Sequence, residues 1–337
     1  MLTPGLVLWS LLFAAIGAAG TWFARGYALR RHLLDQPGER RSHAIATPRG
    51  GGIAIALAFL IAIVAMAARR PDEIVLLVCA AIGLVLVSGI GWVDDHRPLS
   101  PWSRLAVHVL AAGWLMVGVY LSGRGGGAAL AAFVAALVLV NVWNFMDGID
   151  GLAASQAALA AAGLSFLAGT DALAVHLGLA LIASIFGFLP FNFPRARIFL
   201  GDVGSGALGY ALALLLAMSM HRLATDVRSV HAWLLVLLPV SAFVLDAGLT
   251  LSVRVVRGEK WWTPHVQHAY QRWARRLGGH PPVTAAYAAW TLVACSGAAW
   301  LAGGERSGIA MVVSVWLASG IGLWCALRVR SGDRAAN

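Results

Sequence analysis

Eleven apolar runs of roughly bilayer-spanning length divide this chain, and no other feature restricts its fold as strongly. They cover residues 4–24, 51–68, 74–93, 105–122, 127–143, 152–169, 172–190, 204–220, 231–251, 284–302 and 308–327. A helix rises about 1.5 Å per residue, so about 20 apolar residues cross the hydrocarbon core. Backbone polar groups in lipid must be bonded internally, which makes each run a helix. The expected fold is therefore an all-α polytopic membrane helix bundle of eleven transmembrane helices, or ten if one of the short glycine-rich runs does not cross. Composition agrees: 60% of the 337 residues are hydrophobic and only 12% charged, with a mean hydropathy of +0.78. Soluble domains carry about twice that share of charge. No internal repeat or linker interrupts residues 1–337, which read as one integral membrane domain. The largest piece outside the spans is the loop 252–283.

The charges sort by side. With eleven spans the termini lie on opposite faces, and 19 of the 25 Lys and Arg then fall on one face against 6 on the other. The positive-inside rule makes the richer face cytoplasmic, with the N-terminus periplasmic and the C-terminus cytoplasmic in a bacterial inner membrane. The net charge of +10 reports this topology and contact with anionic membrane lipid. No basic tail or aromatic-basic array supports nucleic acid as a partner. Cys79, Cys295 and Cys325 each sit in an apolar run without metal-ligand spacing and read as core side chains. The first run lacks a basic leader and a small-residue cleavage site, so it reads as a retained span. Trp22, Trp92, Trp102, Trp143, Trp261 and Trp262 fall near cytoplasmic boundaries, where indole rings favour the headgroup region.

Although the sides were assigned from Lys and Arg alone, the unusual polar clusters all gather on the cytoplasmic face. The densest is N-V-W-N-F-M-D-G-I-D-G-L-A, Asn141 to Ala153. In a helix, Asn141, Asn144, Asp147 and Asp150 would each turn about 60° from the one before, so a straight helix cannot aim all four at one ligand. Gly148 and Gly151 permit a break, which places a helix end near Asp147 and swings Asp150 back toward Asn144 and Asp147. Capping accounts for one such residue but poorly for four.

The first inner loop, from Asp35, ends in Arg49 and the triplet Gly50–Gly52. Glycine amides at a helix N-terminus and an arginine fork suit a phosphate, whereas a basic turn with tight helix packing is the plainer reading. Asp94 and Asp95 are adjacent at a helix C-terminus, where the dipole and mutual repulsion disfavour both, and a divalent cation or a cationic substrate group would relieve the penalty. Arg104 opens the next span and could compensate them or hold a phosphate. In the fourth inner loop Asp202 stands among Gly201, Gly204 and Gly206 beside Ser205, with Asn192, Arg195 and Arg197 nearby. An N-cap would explain Asp202 alone; the basic and amide neighbours favour a phosphate or nucleotide contact. Asp246 lies inside the ninth run, where it reads as a supporting partner rather than a catalyst. In loop 252–283, Thr263 as N-cap and Pro264 as first helical residue predict an interfacial helix that carries His265, His268 and Arg272 on one face.

Together these pieces resemble the polyprenyl-phosphate N-acetylhexosamine-1-phosphate transferases, which include initiators of O-antigen and the phospho-MurNAc-pentapeptide translocases. The resemblance rests on T-P-R-G-G-G at Thr47–Gly52, the Asp94–Asp95 pair, N-x-x-N-F-M-D-G-I-D-G-L-A, F-N-x-P-x-x-x-x-x-G-D-x-G-S from Phe191 to Ser205, and the His265/His268 loop, in that order. It implies transfer of a sugar phosphate from a UDP-N-acetylhexosamine to undecaprenyl phosphate, giving polyprenyl-diphospho-sugar and UMP, with Mg²⁺ or else Mn²⁺. It further implies Asn144 and Asp202 as metal ligands, with Asp94 and Asp95 at the lipid phosphate and nearby metal. Asp147 and Asp150 would fall in the nucleotide region beside Asn192, and His265, His268 and Arg272 at the diphosphate or sugar. Asn141, Arg49, Arg104 and Arg197 complete the expected substrate contacts, and a homodimer is the remaining expected partner. Two residues depart from the pattern: the loop reads H-V-Q-H, and Arg104 stands where lysine is usual. The H-V-Q-H-A-Y-Q-R form is most similar to the O-antigen-initiating branch.

The chemistry is consistent with that. Joining two anionic phosphates needs charge neutralisation, which a divalent cation with few protein ligands supplies. A phosphate monoester has its second pKa near about 6, so the acceptor is mostly a dianion that needs no base. Asp94 and Asp95 are then positioning groups, a base role for Asp94 being the alternative. The rival from another class is an ion-coupled transporter or lipid flippase, which would bury its polar residues at mid-bilayer in repeated halves.

Overall fold

All eleven apolar runs are helical. A computed structural model describes residues 3–36, 46–226, 229–260, 262–263, 265–303 and 308–332. The helices are α1 (Pro4–Arg30), α2 (Ile53–Arg69), α3 (Ile74–His96), α4 (Pro101–Val119), α5 (Gly125–Phe145), α6 (Leu152–Leu167) and α7 (Ala172–Asn192). They continue as α8 (Gly201–Asp226), α9 (Ser229–Leu237), α10 (Ser241–Val256), α11 (Ala269–Leu277), α12 (Pro281–Gly303) and α13 (Ile309–Gly332). Among the described residues, eight helical stretches are long and apolar enough to cross a membrane. One of them, Pro101–Phe145, is 45 residues long, and α2 and α6 are shorter apolar helices. The long stretch is two spans joined by a wide turn at Tyr120–Arg124, where Gly123 and Gly125 adopt φ of 77° and 85°. With the long stretch counted as two and the short helices included, the spans number eleven.

Two details depart from the sequence pattern. The ninth run is broken at Leu238–Val240 into α9 and α10, because Pro239 withholds an amide hydrogen and its ring crowds the preceding turn. Trp143 is buried rather than interfacial; its indole N–H donates to the Ala153 carbonyl at 3.1 Å. Trp22, Trp92, Trp102 and Trp262 are exposed, and Trp261 lies outside the described residues. Of the cysteines, Cys79 is buried, Cys295 partly so and Cys325 exposed on α13.

The bundle is built around α8. Every residue from Val203 to Met220 is buried, and α8 packs against α2, α3, α5, α6 and α7. By contrast α1 and α13 at the rim bury few of their residues and present leucine, valine and tryptophan outward. At the end of the bundle away from the polar clusters, a partly buried bidentate pair, Arg124 to Glu73 at 2.7 and 2.8 Å, ties the α4–α5 turn to the start of α3. The opposite end gathers the C-termini of α3, α5 and α7 and the N-termini of α2, α4, α6, α8 and α12. The two-stranded antiparallel pair β1 (Leu34–Asp35) and β2 (Thr47–Pro48) lies there too, with Asp35 opposite Thr47.

Candidate active site at the polar end of the bundle

The centre of the site is the junction of α3, α4 and α8. Glycine lets α8 start there: Gly201 has φ of 76°, and a Cβ on it would come within 2.6 Å of Asp95 Oδ2. Asp95 is buried, and its carboxylate accepts the N–H groups of Asp202 at 3.1 Å and Val203 at 3.2 Å. An acid at the end of α3 thus caps the positive end of α8. Its main-chain carbonyl accepts from Arg49 Nη2 in a short hydrogen bond. Asp94, one residue earlier, turns the other way. Its Oδ1 accepts Leu99 N–H at 2.6 Å, and its Oδ2 lies 2.7 Å from Arg104 Nη1. The same guanidinium nitrogen is 2.6 Å from Asp202 Oδ2, so Arg104 bridges carboxylates of two helices.

The stretch from Asn141 flanks this junction. α5 ends at Phe145, as the glycines after Asp147 suggested, and the chain turns into α6 through Gly151 at φ of 71°. Asn144 donates through Nδ2 to Ser205 Oγ on α8 at 3.2 Å, so Oδ1 is its remaining ligand atom. Asp147 follows in the turn. Burial, and then the negative charges of Asp202, Asp95, Asp150 and Asp35, push its carboxyl pKa up to about 8. Asp150 instead pairs with His280, Oδ2 to Nδ1 at 3.2 Å, at the start of α12. Asn141 points back along its helix, donating to the Leu137 carbonyl at 2.7 Å.

The remaining expected contacts divide. Asn192 is buried and spends both ends of its amide on main chain, accepting Gly151 N–H and donating to the Ile198 carbonyl, each at 3.0 Å. It shapes the turn rather than presenting a free group. Arg197 is exposed, lies over the Phe191 ring and donates to the Pro190 carbonyl, apart from the acids. The Gly51 and Gly52 amides are not free to cradle a phosphate, since they donate to the carbonyls of Phe199 and Leu200 at 2.9 and 2.8 Å. The triplet serves close packing instead, since a Cβ on Gly52 would collide with Gly204 of α8.

The histidine loop also differs from expectation. The helix starts at Ala269, and His265 stands before it in a segment without regular structure; Pro264 lies outside the described residues. His265, His268 and Arg272 therefore do not share a helix face. The reason is that the cap is not local: the amides of Ala269 and Tyr270 bond to Asp246 of α10. α11 packs on α10, α12 and α13 with Tyr270 and Ala274 buried. His268 is buried with its ring against Phe145, and His265 packs on His268 at 4.8 Å. Burial, then His268 and Arg254, push the His265 imidazole down to about 4, so it is neutral at neutral pH. Arg272 is half-buried, with burial and Arg275 and Arg257 drawing its pKa below the usual value.

Sequence reasoning overlooked Asp35, His280 and Tyr270. Asp35 is a buried acid in a loop that also holds Glu39 and several arginines, and His280 directly precedes the Pro-Pro that opens α12; both residues were visible in the sequence. No comparable signal marked Tyr270.

Among the described residues no three His, Cys, Asp or Glu side chains close into a metal cage. What converges is an open set of oxygens, Asp94, Asp202, Asn144 and Asp147, compensated mainly by Arg104. Burial first and then four neighbouring carboxylates disfavour a charged Asp147, and a hard divalent cation that keeps its own waters would offset the second of these.

Comparison with known proteins agrees. Residues 75–220, which hold the Asp94–Asp95 pair, the Asn144–Asp150 turn and Asp202, match the model of glycosyl transferase family 4. A decaprenyl-phosphate N-acetylglucosaminephosphotransferase of Mycobacterium leprae is 29% identical over 88% of this chain and 85% of its own. An undecaprenyl-phosphate alpha-N-acetylglucosaminyl 1-phosphate transferase of Thermotoga maritima is 35% identical over 56% of this chain and 57% of its own. A phospho-N-acetylmuramoyl-pentapeptide-transferase of Heliobacterium modesticaldum is 29% identical over 84% and 93%. The family model and these relatives together support the polyprenyl-phosphate N-acetylhexosamine-1-phosphate transferase family for this chain.

Proposed function

We propose that the protein transfers N-acetylhexosamine 1-phosphate from a UDP-sugar to undecaprenyl phosphate at the cytoplasmic face of a bacterial inner membrane, releasing UMP and starting a cell-envelope glycan. The observation that carries the proposal is the Asp94–Arg104–Asp202 bridge, set beside Asn144 and Asp147 at one end of a membrane bundle. In this reaction an oxygen of the lipid phosphate forms a bond to the sugar-bearing phosphorus. The bond from that phosphorus to the bridging oxygen breaks, and its electron pair leaves with UMP. No proton need be removed from a phosphate dianion, so the site must chiefly bring two anions together.

Asp202 and Asn144, with Asp94 beside them, would hold Mg²⁺, which when bound neutralises the donor diphosphate and the leaving UMP. Arg104 adds a fixed positive charge where the two phosphates meet. Asp95 and Asn192 hold the helix starts and turns that present these groups. His265 enters as a neutral hydrogen-bonding group, and His268 and Arg272 face the sugar and diphosphate. The cytoplasmic placement is supported by the 19-to-6 distribution of Lys and Arg.

The test uses protein purified in detergent with undecaprenyl phosphate, Mg²⁺ and separate UDP-N-acetylhexosamines, with UDP-MurNAc-pentapeptide as a further donor. UMP release and lipid-linked product are followed. Turnover with an N-acetylhexosamine donor, lost in EDTA and in Asp202→Asn, is expected. Turnover with the pentapeptide donor alone would reassign the donor, and folded protein that turns over none would overturn the reading.

A further inference from the structure

Asp246 lies on α10, outside the acid cluster, yet three other helices converge on its carboxylate. Its Oδ1 accepts the N–H of Ala269 at 2.8 Å and the indole N–H of Trp324 on α13 at 3.2 Å. Its Oδ2 accepts the N–H of Tyr270 at 3.1 Å and the hydroxyl of Tyr287 on α12 at 2.8 Å. α11 has only nine residues and no side-chain cap of its own. A buried anion from another helix thus satisfies its first amides and complements its dipole. Since His268 immediately precedes those amides, the anchor that fixes α11 also fixes the histidine segment.

A second contact runs from α11 to the acid cluster. The buried Tyr270 hydroxyl donates to the carbonyl of Phe145, the last residue of α5, at 3.1 Å. It lies against Gly148, where a Cβ would collide with it. Phe145 stands between Asn144 and Asp147, so this bond joins the turn that carries both to the helix that follows His268. The His268 ring lies nearly parallel to the rings of both Phe145 and Tyr270, with interplanar angles of 24° and 23°. Its Nδ1 lies 3.8 Å from Asp246 Oδ1.

We propose that Asp246 and Tyr270 are positioning residues that hold the histidine segment in register with the acid cluster: Asp246 seats α11 on the bundle, and Tyr270 fixes its distance from the Asn144–Asp147 turn. The proposal rests on the reading that both surfaces handle one donor substrate. A purely stabilising role would lower the unfolding temperature without discriminating between substrates. A positioning role loosens the segment and weakens use of the sugar donor while the fold and the lipid acceptor are unaffected.

The test compares wild type, Tyr270→Phe and Asp246→Asn as full-length protein in detergent. Measured are thermal unfolding, the rate of tryptic cleavage after Arg275 and Arg276, and initial rates with each substrate varied. Expected for Tyr270→Phe is an unchanged unfolding temperature, faster cleavage and a kcat/KM for the UDP-sugar lower on the order of 10- to 100-fold, as misplacement near 1 Å produces. The KM for undecaprenyl phosphate should stay constant. Asp246→Asn should show the same pattern with still faster cleavage, and if it fails to fold, Tyr270→Phe decides. Wild-type cleavage rates in both variants would overturn the anchoring. Faster cleavage with unchanged donor kinetics would overturn the positioning role. Absence of turnover in wild type itself would instead sink the proposed reaction, and the cleavage rates would still decide whether the anchor exists.

Discussion

The carboxylate of Asp95 at the end of α3 accepts the main-chain N–H of Asp202 in the first turn of α8 at 3.1 Å. One acid therefore holds another in place through the backbone rather than through a shared ion. Asp95→Ala should expose this relationship by leaving two helix-start amides without an acceptor. Loss of such a cap costs about 2 kcal/mol, so the variant should unfold at a lower temperature in detergent as well as lose activity. Asp95→Asn, which keeps one acceptor, should fall between. Unchanged unfolding in Asp95→Ala would mean that α8 starts without this cap.

Arg104 touches Asp94 and Asp202 through a single nitrogen, so the contact uses its charge more than its planar fork. Arg104→Lys should retain turnover within about tenfold of wild type, because an ammonium supplies the same point charge. Arg104→Met should lose at least about 10²-fold in kcat, as removal of a charge aimed at the reacting phosphates does elsewhere. Parallel steady-state assays would check both, and equal loss in the two would show that the fork itself is needed.

Asp147, with its carboxyl pushed up to about 8, makes the metal-free protein sensitive to pH. Between its ordinary value near 3.8 and about 8 the folded state retains a proton that the unfolded state releases, so stability falls as pH rises through this window. Added Mg²⁺ should flatten the dependence, and Asp147→Asn should remove most of it while raising the metal-free unfolding temperature at pH 8. Thermal unfolding from pH 5 to 8.5, with EDTA or Mg²⁺, reads the effect; a stability that rises with pH in EDTA would refute it.

His265 is held neutral, near 4, by burial and by the positive charges of its neighbours. Its titration should therefore leave no step between pH 5.5 and 7.5 in the rate profile. His265→Gln, which keeps hydrogen-bonding capacity, should change the height of the profile and not its midpoint in that range. A midpoint near 6.5 that vanishes in His265→Gln would show that the residue works as a cation.

How legible each part was depended on the range of the interaction behind it. The helices could be read because spanning length and apolarity are properties of a run, and the end of α5 could be read because Gly148 and Gly151 sit beside it. Pro239 was equally visible, and the break between α9 and α10 follows from its chemistry. The start of α11 was not legible: Thr263 and Pro264 have the composition of a helix start, but the acceptor for the first amides lies at Asp246, on another helix. Likewise Gly51 and Gly52 look like an anion site until Phe199 and Leu200 are seen to take their N–H groups. Asn192 and Arg197 are close in sequence to Asp202, yet one is consumed by main chain and the other faces away. Local sequence shows which groups a segment offers; whether they remain available depends on contacts many residues distant.

Asp202 stands at the tip of a helix whose residues from Val203 to Met220 touch only protein. Rim helices such as α1 and α13 must tilt or shift when a bilayer thickens or thins, because their outward side chains seek the hydrocarbon edge. A fully enclosed mast has no such obligation. Its height is set by the helices wrapped around it, so membranes of different thickness would move the hull of the molecule while the acid at the masthead keeps its level relative to Asp95 and Arg104.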